Sequence, residues 1–223
     1  MKNFIGIYKN ALSDNTCDLL KEVFNNAKDQ QRQGTVGTYG MVSPKIKQST
    51  DLNILDLLKT DSRVPQVLLP QIKQALDMGM VSYLKEFPFS TALKDTPEDK
   101  LMENLLGDYS FFNDAIVMQK YNKGKDGFHS FHEDNGSLDP TLSRVLVCMF
   151  YINDVEKGGE TEFYHYDLKV KPTKGTLIIF PTYFTHLHKG HIPITDDKYI
   201  LNIWLLKNNA SHWRMQKAKL ERE

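Results

Sequence analysis

The sequence has little cysteine, no net charge and no long hydrophobic run. Its two cysteines, Cys17 and Cys148, are too few for a disulfide framework, and Cys148 lies in an apolar segment typical of a buried strand. We therefore expect a reduced, cytoplasmic protein. The 28 basic and 28 acidic side chains balance, so the chain lacks the basic footprint of a duplex nucleic-acid binder. No run approaches the ~18 apolar residues of a membrane span, and the first residues do not read as a signal peptide.

The composition that remains is that of a soluble globular protein. Of the 223 residues, 40% are hydrophobic and 25% are charged, which is enough apolar surface for a substantial core. No internal repeat and no Gly/Ser-rich linker interrupts the chain, so we predict a single domain over residues 1–223. Within it we expect a helical and mixed support region at 1–110, a β-rich core at 111–210 and a tail at 211–223.

The first half shows helical periodicity. After a capping cluster at Ser13, apolar residues recur at helical spacing, which predicts a first helix. A second helix is expected over about 71–87, and Pro65 and Pro70 should break the chain just before it. The Gly-rich segment 34–43 and the segment 88–100 are predicted to be loops, the former with Tyr39 as a candidate lid residue over a substrate.

The second half changes to short apolar or β-branched segments separated by turn signals. The predicted strands cover 115–121, 144–152, 161–166, 176–180 and 199–206. Strands at this spacing indicate a sandwich or barrel of the jelly-roll kind with helices packed outside. The segment 144–152 is apolar almost throughout, as expected of a strand that is covered on both faces.

A His-x-Asp pair is the most informative feature of the second half. His132 and Asp134 would lie on one face of an extended segment, and a more distant histidine can complete a set of two imidazoles and one carboxylate. This donor set holds non-haem Fe(II) in oxygenases and leaves coordination positions open. His165 has no acidic partner at a suitable offset, and His212 reads as a surface or packing residue.

The third donor is either His186 or His188. Both would share a face of an extended segment, so periodicity does not choose between them. A basic residue, Lys198, follows ten positions after His188 and twelve after His186.

An ordered series of motifs surrounds these residues. A Tyr and a Gly-containing turn precede the His-x-Asp pair; a strand that begins with Arg leads into Gly-Gly-x-Thr-x-Phe. A Pro, a Gly and an aromatic residue precede the distal histidine, and a basic residue and a Trp follow it. In order, these are Tyr121, Gly124, Gly127, Phe128, Arg144, Tyr151, Ile152, Asn153, Asp154, Gly158, Gly159, Thr161, Phe163, Pro172, Gly175, Phe180, Lys198 and Trp204. Through them, the chain from about residue 113 to residue 206 resembles the 2-oxoglutarate/Fe(II)-dependent oxygenases, specifically the prolyl-4-hydroxylase-like group.

The resemblance implies a double-stranded β-helix, or jelly-roll, core buttressed by N-terminal helices. It implies His132, Asp134 and His188 as the metal ligands, since the offset of the basic residue favours His188. Lys198 would neutralise the remote carboxylate of 2-oxoglutarate, because an unpaired buried charge is costly. The hydroxyl donors beside it would be two tyrosines, Tyr121 and Tyr151.

The implied cofactors are Fe(II), 2-oxoglutarate and dioxygen, with ascorbate as a candidate reductant. The implied reaction is hydroxylation of a C–H bond with release of succinate and carbon dioxide. The expected substrate is a peptidyl or free amino acid, with proline as the first candidate. The chain departs from the pattern of this group in two places on the substrate side. The turn before the His-x-Asp pair is one residue longer than usual, and His129 stands where an aromatic residue is common. His129, Arg144 and Tyr39 are the candidate substrate-side residues.

Other functions remain open at this point. The same cofactors could serve an oxygenase of a small metabolite or a nucleobase, and a jelly roll could be a binding module without turnover. Two histidines and a carboxylate could also hold zinc in a hydrolase. The complete ligand set argues against the binding module, and Lys198 argues against the hydrolase, which has no need of a buried cation for a dicarboxylate.

Overall fold

The computed structural model describes residues 2–37, 40–91, 95–106, 109–111, 115–136 and 142–208. In this part of the chain, two antiparallel β-sheets enclose an inner core, and α-helices pack against the outer face of the larger sheet. The predicted arrangement, mostly β with a jelly-roll core and flanking helices, is confirmed. None of the described helices combines the length and the hydropathy that a membrane span needs.

The helices and strands are numbered in chain order. The α-helices are α1 (Asp14–Asn26), α2 (Leu69–Glu86) and α3 (Glu98–Leu106). The strands of the first half are β1 (Gly6–Tyr8), β2 (Arg32–Gln33), β3 (Lys47–Gln48), β4 (Thr50–Asn53) and β5 (Tyr109–Ser110). Those of the second half are β6 (Val117–Tyr121), β7 (Gly127–His132), β8 (Leu142–Tyr151), β9 (Thr161–Phe163), β10 (Leu168–Val170), β11 (Leu177–Pro181), β12 (His188–Gly190) and β13 (Lys198–Asn208).

The larger sheet has the order β1-β11-β8-β13-β6-β4-β2, with β5 pairing at the far end of β13. The smaller sheet has the order β10-β9-β12-β7-β3. Strands that follow one another in the chain therefore alternate between the two sheets for much of the second half, which is how a jelly roll brings distant segments together. The strands β3 and β4 are nearly consecutive and lie in different sheets, so the first half also contributes to both walls.

The N-terminal helices form where the sequence predicts them. Ser13 caps α1 by accepting a hydrogen bond from the backbone N–H of Thr16. The second helix begins earlier than predicted, because a π-helical turn over Val64–Leu68 runs directly into it. Pro65 lies in the first turn of this stretch, where a missing N–H costs little, and the helical backbone continues through Pro70, so the prediction that they break the chain is wrong. The predicted loop at 88–100 ends sooner than expected, at the start of α3.

Strand β8 separates two apolar layers. Leu146, Cys148 and Phe150 belong to the layer that packs against the helices. Val147 and Met149 point the other way, into the layer between the sheets. Because successive side chains of a strand face opposite sides, a strand buried on both faces must be apolar throughout. The prediction made for the segment 144–152 is confirmed.

Two glycine positions depend on the absence of a side chain. A Cβ at Gly79 would lie 2.4 Å from Cδ2 of Leu177, so glycine lets α2 approach β11 closely. Gly158 and Gly159 both have φ of +75°, a conformation that side chains disfavour. The predicted tight turn before β9 is therefore present, and it starts the strand that carries Thr161.

Candidate iron and co-substrate site

The two sheets bring the predicted metal ligands together at one end of the inner core. His132 is the last residue of β7 and His188 is the first of β12, and the antiparallel register places them directly opposite each other. Asp134 follows two residues after the end of β7. One donor atom from each of the three residues lies within 4.8 Å of the others, and Nε2 of His132 is 3.7 Å from Oδ1 of Asp134. These distances suit three ligands around one ion.

Hydrogen bonds fix the direction of each ligand. Nδ1 of His132 lies 3.2 Å from the carbonyl oxygen of Ser130, and Nδ1 of His188 lies 3.1 Å from that of His186. A carbonyl only accepts, so both imidazoles carry their proton on Nδ1 and present the lone pair of Nε2. Nε1 of Trp204 donates to Oδ2 of Asp134 at 3.3 Å, which leaves Oδ1 facing the histidines.

The electrostatic surroundings favour the protonation states that a metal ion needs. Burial lowers the pKa of His132 to about 3, and it also lowers the pKa of His188. Burial alone would raise the pKa of Asp134, but the two imidazoles, the Arg144 guanidinium and the Trp204 hydrogen bond outweigh it and leave that pKa below its ordinary value. Neutral imidazoles beside an ionised carboxylate are ready to bind a divalent cation.

The structure distinguishes His188 from His186. His186 lies in a short 3-10 turn over Phe184–His186 and not in a strand. Its Nε2 is 2.8 Å from the carbonyl oxygen of Asn3 and its Nδ1 is 2.9 Å from the hydroxyl of Thr185. Both ring nitrogens therefore have protein partners, whereas Nε2 of His188 faces the other two ligands.

A cavity of about 1140 Å³ extends from the metal ligands into the inner core. Lys198, the first residue of β13, lies at its inner end, opposite Tyr121 in the strand register. Its side chain is buried, and its Nζ lies 5.7 and 5.4 Å from the ring centroids of Tyr121 and Tyr151. Burial lowers the pKa of Lys198 to about 7, and no ion pair reaches it from the described residues. A buried cation of this kind needs an anionic partner.

The two predicted hydroxyl donors are placed differently. Tyr121 lines the cavity, and its hydroxyl donates to Oε1 of Gln119 at 2.9 Å. The hydroxyl of Tyr151 is 2.7 Å from Oγ1 of Thr161 and 3.0 Å from the carbonyl oxygen of Val170, and Tyr151 is not part of the cavity wall. Thr161 does line it. Thr161 is the threonine of the Gly-Gly-x-Thr motif, and it was not predicted to be a residue of the site.

The three predicted substrate-side residues differ in their position relative to the cavity. Arg144 lines the cavity, with its guanidinium carbon 3.8 Å from the ring centroid of Trp204. His129 has an exposed side chain and is not among the residues that line the cavity. Tyr39 lies outside the described residues.

In the Gly-rich segment 34–43, described residues before and after positions 38 and 39 border the cavity. Val36 and Met41 form an isolated antiparallel bridge, and Val36, Gly37 and Gly40 belong to the cavity wall. Its role as a lid stays a prediction.

The comparisons with known proteins agree with this geometry. Residues 116–206 match the family model of the 2OG-Fe(II) oxygenase superfamily. The matched residues include His132, Asp134, His188 and Lys198, so the family segment contains both ends of the cavity.

A curated relative of this chain is prolyl 4-hydroxylase 13 of Arabidopsis thaliana, which is 32% identical over 110 residues. The match covers 39% of this chain, and the chain spans 38% of the length of that relative.

Solved structures share the fold at low sequence identity. A viral collagen prolyl hydroxylase from Paramecium Bursaria Chlorella virus-1, in complex with 2OG, has a TM-score of 0.60 at 20% identity, over 92% of this chain and 96% of that one. A prolyl hydroxylase from Trichoplax adhaerens, in complex with a hypoxia inducible factor peptide, has a TM-score of 0.65 at 18% identity, over 92% and 84% of the two chains. A prolyl-4-hydroxylase from Pseudomonas putida has a TM-score of 0.59 at 14% identity, over 90% and 91%.

Proposed function

We propose that this protein is an Fe(II)- and 2-oxoglutarate-dependent dioxygenase that hydroxylates a prolyl residue of a polypeptide. The observation that carries the proposal is the juxtaposition, in one cavity, of a His-Asp-His cluster and a buried ammonium without a partner among the described residues. The cluster suits a ferrous ion, and the ammonium of Lys198 suits the remote carboxylate of a 2-oxo diacid. A zinc hydrolase would use the cluster and would have no use for Lys198.

The donor set fits ferrous iron. Two imidazole nitrogens and one carboxylate oxygen on one side of an octahedral ion leave open positions for a chelating 2-oxo acid and dioxygen. His132, Asp134 and His188 would hold the ion, each oriented by the hydrogen bond described above. Bound iron, with 2-oxoglutarate and dioxygen, supplies the oxidising chemistry that turns a C–H bond into a hydroxyl and releases succinate and carbon dioxide.

The protein binds and orients the co-substrate at the inner end of the cavity. Lys198 supplies the positive charge for the remote carboxylate, and the Thr161 side chain lines the same cavity. Tyr121 is a second donor on the same wall. Tyr151 supports Thr161 through their 2.7 Å hydrogen bond and would act on the co-substrate only through that residue.

The cavity favours a polypeptide over a small metabolite. Its volume of about 1140 Å³ exceeds the ~300–1,000 Å³ of ordinary small-molecule pockets. Arg144 and Trp204 line it together, and their stacked side chains offer a flat surface to a bound polypeptide. A peptide is also the partner named for the Trichoplax adhaerens structure, and collagen prolyl hydroxylase is the name of the viral one.

The test is reconstitution with Fe(II) under anaerobic conditions, followed by addition of 2-oxoglutarate, dioxygen and a panel of prolyl peptides. We expect succinate in step with the gain of one oxygen atom on a proline, as measured by mass spectrometry. The matched control is each peptide with its proline replaced by alanine. Oxygen gain on a small metabolite alone would redirect the substrate assignment, and absence of succinate with every compound would refute the proposed function.

We also propose that the protein is located in the cytoplasm. Both Cys17 and Cys148 are buried free thiols, a state that a reducing cytoplasm maintains. Fractionation of the source cells tests this placement.

A further inference from the structure

A chain of polar side chains crosses the wall of the cavity beside the co-substrate end. Nζ of Lys47 lies 2.6 Å from Oδ2 of Asp51, and Nε2 of Gln119 donates to the same carboxylate oxygen at 3.1 Å. Oε1 of Gln119 in turn accepts from the Tyr121 hydroxyl at 2.9 Å and from Nδ2 of Asn202 at 3.2 Å. All five residues line the cavity.

The chain joins the two sheets. Lys47 belongs to β3 of the smaller sheet, and Asp51 belongs to β4 of the larger one, where it lies opposite Gln119 in the strand register. The side chains of the ion pair are only 5% and 16% exposed. Breaking a buried ion pair strongly destabilises a protein, so Asp51 stays paired with Lys47. The position of its carboxylate is therefore well defined.

The direction of every hydrogen bond in the chain follows from Asp51. An ionised carboxylate only accepts, so Gln119 must turn its NH₂ group toward Asp51. The carbonyl oxygen of Gln119 then faces Tyr121, and it also only accepts. In this pair the Tyr121 hydroxyl is therefore the donor and Gln119 the acceptor. This conclusion holds whichever way an amide is drawn, because the reverse orientation would bring the Gln119 oxygen against the carboxylate.

Tyr121 keeps that proton at neutral pH. Burial raises the pKa of its phenol well above the ordinary value, and the carboxylates of Asp51 and Asp134 raise it further. A protonated hydroxyl has one proton to give, and an incoming carboxylate competes with Gln119 for it.

We propose that Gln119, oriented by Asp51, is a positioning residue that holds the Tyr121 hydroxyl proton away from the co-substrate and thereby limits the affinity for 2-oxoglutarate. The inference rests on the proposed function, because it concerns the same co-substrate. Lys198 binds the remote carboxylate without this competition. Tyr121 contributes to the binding free energy only the difference between two hydrogen bonds: the one that it forms with the carboxylate and the one with Gln119 that it gives up.

A double-mutant cycle between Gln119 and Tyr121 tests the inference. The measured quantity is the dissociation constant of 2-oxoglutarate, by calorimetry of the folded protein loaded with Zn²⁺ in place of iron so that no turnover occurs. In the wild type, Tyr121→Phe should weaken binding by about threefold or less, because a hydrogen bond is exchanged and not lost. In the Gln119→Leu background, the freed hydroxyl bonds the carboxylate, and the same change should weaken binding by about tenfold.

Gln119→Leu alone should tighten 2-oxoglutarate binding, a direction that mere damage to the fold would not produce. Gln119→Met, which keeps the length of the side chain, is the second variant in case leucine disturbs the packing. The matched control is Asp51→Asn, checked for folding by circular dichroism because it leaves the buried Lys47 ammonium without its anionic partner. Its amide oxygen can still accept from Lys47 and Gln119 while its NH₂ group faces Ser49, so Tyr121→Phe should have the same small effect as in the wild type.

The outcomes separate cleanly. Equal effects of Tyr121→Phe with and without the Gln119 side chain, while 2-oxoglutarate still binds, overturn this inference and leave the proposed function standing. A tenfold effect in the Asp51→Asn background overturns the argument from acceptor geometry. A folded wild-type protein that does not bind 2-oxoglutarate at all overturns the proposed function and this inference with it.

Discussion

The two ends of the cavity are built in different ways. At the metal end, His132 and Asp134 have side chains that are 20% and 19% exposed, and each of the three ligands is oriented by one hydrogen bond from outside the set. At the co-substrate end, Lys198 is 2% exposed and is surrounded by residues of several strands. The metal end is a compact set of donors, whereas the inner end is a cage whose properties depend on burial. Substitutions at the metal end should therefore reduce the affinity for Fe(II), and substitutions at the inner end should reduce the affinity for 2-oxoglutarate.

The largest effect is expected from loss of a metal ligand. Asp134→Ala or His188→Ala should lower the affinity for Fe(II) by more than ~100-fold, since even partners of ligands are worth 10–100-fold. Hydroxylation and succinate formation should both cease. Metal titration by calorimetry under anaerobic conditions checks this, with circular dichroism to show that the variants fold. Retained turnover by Asp134→Ala would remove that residue from the metal centre.

Loss of the buried ammonium should affect the other end alone. Lys198→Ala should raise the KM for 2-oxoglutarate by at least about 100-fold, because an unpaired buried carboxylate costs roughly 3–5 kcal/mol. The affinity for Fe(II) should change little. Steady-state succinate assays at varied 2-oxoglutarate, together with the metal titration, provide the measurement. Equal losses in co-substrate and iron affinity would contradict the separation of the two ends.

The pH dependence of co-substrate binding sharpens the same contrast. The pKa of Lys198 is lowered to about 7 in the unliganded protein, and a bound dicarboxylate raises it. Below pH 7 the ammonium is already present and affinity is greatest. Above pH 7 binding must take up a proton, so the affinity should fall by about tenfold per pH unit.

Three groups near Lys198, namely Tyr121, Tyr151 and His188, have pKa values that are shifted away from this range. Burial raises the pKa of both Tyr121 and Tyr151, and it lowers that of His188, while the Glu160 carboxylate acts on Lys198 from a distance. Lys198→Arg is the control, because a guanidinium stays charged and its 2-oxoglutarate affinity should not change between pH 6.5 and about 9. The same slope in both proteins would show that another group is responsible.

The smallest effect is expected at His186. Its ring bonds to Asn3 and Thr185 hold the N-terminal segment against the 3-10 turn, so His186→Ala should cost roughly 1–3 kcal/mol of unfolding free energy. Its affinity for Fe(II) should remain close to that of the wild type. Urea denaturation and the metal titration measure the two quantities. A larger loss of iron affinity than in His188→Ala would reverse the assignment of the third ligand.

The sequence predicts the metal end better than the inner end for a physical reason. His132 and Asp134 are close in the chain, so local spacing is enough to group them. His186 and His188 could not be separated by spacing, because the 3-10 turn that removes His186 from the strand has no period-2 signature.

The Lys47–Asp51–Gln119 chain was not predicted at all. Lys47 and Asp51 lie in short strands of the first half, and their meeting with Gln119 depends on the pairing of β4 with β6, more than sixty residues away. Such long-range pairing leaves no local pattern in the sequence. The N-terminal half therefore supplies part of the co-substrate wall as well as the supporting helices.

The most direct test of the account is a crystal structure of the protein grown anaerobically with Fe(II) and 2-oxoglutarate, with anomalous diffraction at the iron edge. We predict one iron ion bonded to Nε2 of His132, an oxygen of Asp134 and Nε2 of His188, with the remote carboxylate of 2-oxoglutarate against Nζ of Lys198. Iron bound elsewhere, or a co-substrate whose carboxylates both lie away from Lys198, would contradict the account.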